Sequence, residues 1–242
     1  MSDSVSKTCA RRKSAAKAWA APPPIDGEAA LAAAANALAA LDPKTIPMLV
    51  AIGGAPPLRL REPGFAGLAA IIVSQQVSVA SASAIYGRLE ARVTPLEATT
   101  LLAVEDDHLR GCGLSTPKLK TLRALAHEVA REGLDLAGLA RLDAVEAHQR
   151  LTRIHGVGPW TADVFLLFCL GHTDAFPAGD LALQEAARLA LGLKTRPDAK
   201  RLACIAERWR PYRGVAARML WAYYRVAKQR SGMALEDSKA RA

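Results

Sequence analysis

Apolar residues recur along this chain at helical spacing, and one stretch shows the pattern most sharply. Ala147, Leu151 and Ile154 fall at i, i+4 and i+7 behind Asp143, with Glu146 three residues on. That predicts a helix opened by a capping box, in which the cap and third residues satisfy each other's backbone amides. Gly156 and Gly158 break it. Pro159 suits the first position of a second helix and Asp163 its first turn. Val164 to Leu170 is apolar almost throughout, which predicts a buried helix stopped by Gly171. Asp180 precedes LALQEAARLALGL, a good helix, and is its expected N-cap.

The same reading predicts a helix over residues 27–41, then short helices and a loop punctuated by Pro43, Pro47 and Pro57. One long helix is expected over 65–93, with Ile71, Ile72, Val79 and Ile85 on its buried side. Gln75 and Gln76 interrupt that apolar stretch, so they face a polar cleft or pair internally through hydrogen bonds. A further helix is expected over 95–109, and a basic one bearing Lys118, Lys120 and Arg123 after the Gly111-Cys112-Gly113 turn. The last helices fall at 199–208 and 216–228. Strand alternation is nearly absent, so the expected fold class is all-α, and no internal repeat is evident.

Charge narrows the partner. Lys and Arg number 32 against 23 Asp and Glu, a net charge of +9. Residues 196–230 hold ten basic and two acidic groups, and residues 1–24 hold Lys7, Arg11, Arg12, Lys13 and Lys17 against Asp3. A polyanion is favoured, although a solvated basic face is the ordinary reading of such runs. Residues 1–24 read as a disordered basic tail closed by three prolines, residues 25–230 as the folded body, and 231–242 as a frayed end. Cys9, Cys112, Cys169 and Cys204 are scattered with no C-x-x-C, so neither a zinc site nor a disulfide framework is expected. No apolar run approaches the ~20 residues of a membrane span. The default is a cytoplasmic, DNA-associated bacterial protein.

The two-glycine turn has a physical use. Amides of Gly156, Gly158 and the following helix start can point outward together as an anion site, with Thr161 adding a hydroxyl. In so basic a chain a duplex phosphate is the natural guest, although a plain helical hairpin would look the same. A dinucleotide site is not supported, because position 161 is Thr and no strand precedes the turn.

LTRIHGVGPWTADVF, the Gly/Pro-rich loop after it and Asp180 resemble the helix-hairpin-helix/Gly-Pro/Asp DNA glycosylase superfamily, and within it the 3-methyladenine DNA glycosylase II family. Three further stretches agree: AAIIVSQQVSVASA at 69–82, GLSTPKLKTLRALA at 113–126 and ERWRPYRGVAARMLW at 207–221. Together they cover roughly residues 44–228 in the family's order.

The resemblance implies two helical lobes with a cleft between them, one over about 66–172 and the other from about 25–65 plus 180–230. It implies that Ile154, Gly156, Val157, Gly158 and Thr161 hold a DNA phosphate, with a monovalent cation at the carbonyls of Ile154 and Val157. It places Asp180 as the catalytic carboxylate and Trp160, Trp221, Gln76 and Tyr212 around the everted base. Ser115, Thr116, Lys118 and Arg213 become DNA contacts. The family's duplex wedge matches Thr116, where relatives carry a bulkier apolar residue, with Leu114 as the substitute or as plain core. A relative's extra pocket aromatic matches Val164, which implies a smaller or more open pocket. The four-cysteine iron–sulfur spacing of some members is absent, so no cofactor is expected.

Position 160 selects the mechanism. Bifunctional members of that superfamily place a lysine there, whose amine attacks the sugar. Trp160 offers no nucleophile. The expected reaction is hydrolysis of the N-glycosidic bond of alkylated purines such as 3-methyladenine and 7-methylguanine in double-stranded DNA, by a monomer, without strand cleavage. No acid is evident for the leaving base, so uncharged lesions such as hypoxanthine are expected to be poorer substrates. Two other readings remain: a noncatalytic helix-hairpin-helix DNA-binding protein, which needs neither Asp180 nor the tryptophans, and a helical interaction protein whose charge is incidental.

Overall fold

The structure, a computed structural model, describes residues 22–240, with side chains through Gln229. The basic tail expected over 1–24 lies almost wholly outside the described residues. Among those residues every regular element is helical. The order is α1 (Glu28–Leu41), α2 (Thr45–Gly53), α3 (Gly64–Ser74), α4 (Val79–Arg92), α5 (Ala98–Ala103), α6 (Asp106–Gly111), α7 (Thr116–Ala130), α8 (Ala144–Thr152), α9 (Pro159–Phe168), α10 (Leu181–Ala190), α11 (Ala199–Ala206) and α12 (Arg213–Ala240). Short 3-10 turns occupy Gly138–Arg141 and Glu207–Trp209.

The helices bury two separate cores. One gathers Leu68, Ile72, Leu89, Leu122, Leu151 and Phe165 from α3, α4, α7, α8 and α9. The other gathers Leu38, Ile46, Leu49, Leu183, Trp209 and Leu220 from α1, α2, α10, the Glu207–Trp209 turn and α12. Trp221 packs against both, so it sits at the seam. Helices α2 and α12 approach closely because residue 53 is glycine. A Cβ there would lie 2.6 Å from the Tyr223 backbone nitrogen, closer than side chains tolerate. Residues 54–63 cross between lobes without helix, and Arg61 N donates to the Phe168 carbonyl at 2.7 Å, tying this strap to the end of α9.

The single helix expected over 65–93 is instead two. Gln75 is extended and Gln76 takes φ 55°, a left-handed conformation uncommon outside glycine. Ser78 then caps α4 by accepting from Ser81 N at 3.2 Å. Side-chain bonds beat helix propensity here: the Gln75 amide reaches Thr161 Oγ1 at 2.8 Å and the Lys118 ammonium takes the Val73 carbonyl at 2.7 Å. The helix expected over 95–109 likewise divides, with α5 and α6 separated at Val104 and Glu105. The backbone of α12 stays helical through the segment expected to fray. Among the described residues Cys112 and Cys169 are free and buried.

Candidate active site

Helices α8 and α9 form the hairpin. Asp143 caps α8, accepting from Val145 N at 2.8 Å, but Glu146 pairs with Arg150 at 2.7 Å instead of returning to the cap, so only half the capping box forms. Ile154 and Val157 are buried, and the Ile154 carbonyl accepts from Val157 N at 3.0 Å to close the turn. What the turn presents outward is therefore backbone and the exposed His155. The two glycines differ. Gly156 takes φ 80°, and a Cβ on it would lie 1.9 Å from Thr121 Oγ1 on α7. Gly158 has an ordinary φ of −82° and open space around it. His148 on α8 donates to Asp163 on α9 at 2.9 Å, pinning the hairpin's helices together. That bond raises the His148 pKa, while burial raises the Asp163 carboxyl.

The loop after α9 ends on Asp180, which caps α10 by accepting from Leu183 N at 2.8 Å on Oδ1. Both candidate tryptophans converge on it. Trp221 Nε1 donates to the same Oδ1 at 3.2 Å, and Trp160 Nε1 donates to Oδ2 at 3.0 Å. Three N–H donors thus orient one carboxylate from three elements, and Oδ2 keeps spare acceptor capacity. Trp160 is 41% exposed, which is unusual for indole and leaves a face for a ligand.

Beside this carboxylate lies a cavity of about 370 Å³ lined by Trp160, Val164, Phe168 and Trp221 with Arg59 and Arg218 among its basic neighbours. Residues 160, 164 and 168 are successive turns of one α9 face, and 218, 221, 222 and 225 are one face of α12. Phe168 stacks on Trp221 with ring centres 5.7 Å apart. Sequence reasoning missed Phe168 and the arginines, although the i+4 and i+8 spacing from Trp160 and the i−3 and i+4 spacing from Trp221 would have found Phe168, Arg218 and Arg225. A larger depression elsewhere, about 480 Å³, is lined by Glu62, Glu90 and Glu97 and has the wrong sign for a polyanion.

The other expected site residues scatter. Thr161 is buried and taken by Gln75, and Gln76 is exposed and absent from the cavity wall. Ser115 and Thr116 are exposed at the start of α7. Leu114 is 6% exposed inside the first core, so it is not a free wedge. Lys118 is partly withdrawn to the Val73 carbonyl, and burial lowers its pKa. Tyr212 packs against the second core and is absent from the cavity wall. Arg213 is the clearest correction. Its guanidinium clasps the buried Asp174 at 2.9 and 2.8 Å and the exposed Glu207 at 2.8 Å, so an ion pair replaces the expected DNA contact. Asp174 is therefore structural, because removing it would strand a buried charge.

Comparison with known proteins agrees with this geometry. A Mycobacterium tuberculosis protein called a probable bifunctional transcriptional activator/DNA repair enzyme AlkA is 36% identical over 163 residues, 62% of this chain. The chain spans only 31% of that relative's length. DNA-3-methyladenine glycosylase 1 of Schizosaccharomyces pombe is 30% identical over 161 residues, 64% of this chain and 70% of the relative. The crystal structure of a DNA-3-methyladenine glycosidase from Bacillus halodurans aligns with TM-score 0.72 at 32% identity, covering 83% of this chain and 91% of that one. Mag1 of Schizosaccharomyces pombe, solved with abasic DNA, aligns with TM-score 0.62 at 28% identity, covering 78% and 95%. Residues 69–211, more than half of the chain and inclusive of the hairpin and Asp180, match one family throughout: the protein belongs to the HhH-GPD superfamily of base excision DNA repair proteins.

Proposed function

We propose that this protein is a monofunctional DNA glycosylase that removes alkylated purines, 3-methyladenine and 7-methylguanine among them, by hydrolysis. The observation that carries the reading is Asp180 held by both indoles at the edge of an aromatic cavity. A noncatalytic DNA-binding hairpin needs no such carboxylate. In the reaction the target base leaves the stack and enters the cavity, where aromatic faces receive it. A cationic alkylpurine gains from those faces and from the Asp180 charge. The C1′–N bond breaks with its electrons going to the base. Asp180 stabilises the positive charge growing on the sugar and takes the proton of the water that adds to C1′. No lysine lines the cavity among the described residues, which supports hydrolysis without a Schiff base. The hairpin backbone around Gly158 is the phosphate anchor. The carbonyl oxygens of Ile154 and Val157 would hold a monovalent cation there, which would supply positive charge for the phosphate.

The test is single-turnover excision from duplexes carrying one 7-methylguanine or 3-methyladenine, with borohydride in a parallel reaction. Base release is expected, strand breaks only after alkali, and no trapped adduct. Efficient trapping would overturn the hydrolytic reading.

A further inference from the structure

Loops run over protein surfaces, because buried amides and carbonyls need the partners that water would otherwise supply. The segment between α9 and Asp180 departs from that rule. Residues 171–177 are buried without interruption, and none is helical. Partners must come from the protein, and several come from afar. The Gly171 carbonyl accepts from Ile25 N at 2.8 Å, and the Thr173 carbonyl accepts from Gly214 N at 2.8 Å. Residue 214 has to be glycine for that approach, since a Cβ there would stand 2.8 Å from the Thr173 oxygen.

The next two amides are met by a side chain. His172 is 2% exposed. Its Nδ1 accepts from Asp174 N at 3.1 Å and from Ala175 N at 3.2 Å. Its Nε2 lies 3.0 Å from the Leu142 carbonyl, which can only accept. Nε2 therefore carries the proton and Nδ1 is bare. These partners fix one neutral tautomer, because a proton on Nδ1 would face two N–H groups. Leu142 stands immediately before Asp143, the cap of α8, so the imidazole ties the base of the hairpin to the loop. The Asp174 carboxylate cannot take over this work. It is turned away to α12, where it accepts from Arg213 N, Nε and Nη2.

Beyond the clamp there is little slack. Phe176 and Pro177 are buried, and proline holds its own φ. Ala178 N donates to the Phe176 carbonyl at 2.8 Å and Asp180 N to the Pro177 carbonyl at 2.9 Å, two tight turns in succession. A shift at residues 174–175 is passed on to Asp180 instead of being absorbed. The N–H donors around Asp180 do not correct it. Leu183 rides on α10 with the carboxylate, and the two indoles set how that carboxylate is turned. The loop sets how far it stands from the hairpin. We infer that His172 is a positioning residue: its Nδ1 holds the loop in the register that brings Asp180 to C1′ of a nucleotide whose phosphate the hairpin holds. The inference rests on the reading of Asp180 as the catalytic carboxylate. His172 itself touches no substrate and moves no proton.

The experiment is single-turnover excision of 7-methylguanine with enzyme saturating, beside duplex affinity. Asn puts an oxygen close to the Nδ1 position and can still accept from the two amides. Gln is nearer to His in volume, but its amide reaches toward Leu142. His172→Asn should stay within about threefold of wild type, and His172→Gln should lose roughly tenfold to a hundredfold, the effect of a misplaced reacting group. Duplex affinity should stay within about threefold for both, because the hairpin's outward backbone is unchanged. The reverse order, with Gln active and Asn impaired, would make His172 a packing residue and overturn the inference. Equal losses, or no loss in either variant, would also overturn it. A second arm adds His172→Gln to Asp180→Asn. The slow residual rate of Asp180→Asn should not fall further, since His172 acts only through that carboxylate; a further fall overturns the inference. Nitrogen NMR of the wild-type imidazole keeps the matter decidable if the Gln variant does not fold. Nδ1 should appear unprotonated at the pH of the assay, and a proton on it overturns the inference. An Asp180→Asn variant as fast as wild type defeats the catalytic reading and this inference with it, an outcome that no His172 variant can imitate.

Discussion

Asp180 caps α10 through Oδ1 and, in the proposed reaction, also supplies the negative charge, and the substitution that parts these roles is less simple than its shape suggests. Asn can still cap α10, because its oxygen can take the Oδ1 position between Leu183 N and Trp221 Nε1. Its NH₂ then faces Trp160 Nε1, donor against donor, where Oδ2 had accepted at 3.0 Å. Asp180→Asn therefore removes a charge and frees an indole together. Trp160→Phe isolates the second effect, since the ring stays and the donor goes. If the negative charge drives the reaction, Asp180→Asn should cost about a hundredfold or more in single-turnover excision of 7-methylguanine, and Trp160→Phe less than about tenfold. Near-equal losses would assign the work to the indole bond. The cap's survival should show as an unchanged melting temperature. Asp174, six residues earlier, cannot serve as an inert control because it is locked to Arg213.

At the scale of elements, the hairpin carries its glycines for different reasons. Gly156→Ala must fit a Cβ against Thr121 on a left-handed backbone. It should lose roughly 1–2 kcal/mol or more in denaturant unfolding from the backbone conformation alone. Gly158→Ala meets nothing within the protein. It should leave stability within about 0.5 kcal/mol and weaken binding to damaged and undamaged duplex alike, as a backbone contact does. Intact binding by that variant would move the phosphate site elsewhere.

The clamp between α8 and α9 has a pH signature. The folded His148 pKa is raised by its hydrogen bond to Asp163. Its contribution is therefore fully present below the unfolded value near 6.5 and fades as pH rises through the folded value. The melting-temperature gap between wild type and His148→Gln should be wider at pH 6 than at pH 9. A gap that does not change would mean that the pair acts as a neutral hydrogen bond only.

The turns and caps of this hairpin were legible because they depend on neighbours in sequence: Asp143, Gly156, Pro159, Gly171 and Asp180 sit where local rules put them. The break at Gln75 and Gln76 was not, because what holds it are the distant Thr161 and Lys118.

For the molecule as a whole, the helical composition and the motif order made the all-α class readable, and the helices do partition into two cores. Which arginine faces solvent, which pairs and which lines the cavity could not be read from charge counts. Arg213 and Arg218 lie five residues apart on α12 with similar burial, yet one is saturated with carboxylates and the other nearly bare. Their difference lies in what the opposite lobe presents: Asp174 to the first, the Phe168 ring and Leu167 carbonyl to the second. No helix of the described residues is long and apolar enough to cross a membrane.

The seam position of Trp221, with Trp160 across the same carboxylate, also makes the protein its own optical reporter. Trp209 is shut in the second core and bonded to Asp42 at 3.0 Å, so its emission should ignore the cleft. Trp160 and Trp221 share the cavity wall, where a stacked base would take up their excited-state energy. Titration with lesion-bearing duplex should quench the intrinsic fluorescence in proportion to the everted fraction, in real time and without a label. Trp221→Phe should remove much of that signal while leaving the background from Trp209 and Trp19. A duplex that is bound but holds its base in the stack should leave the emission close to that of the free protein.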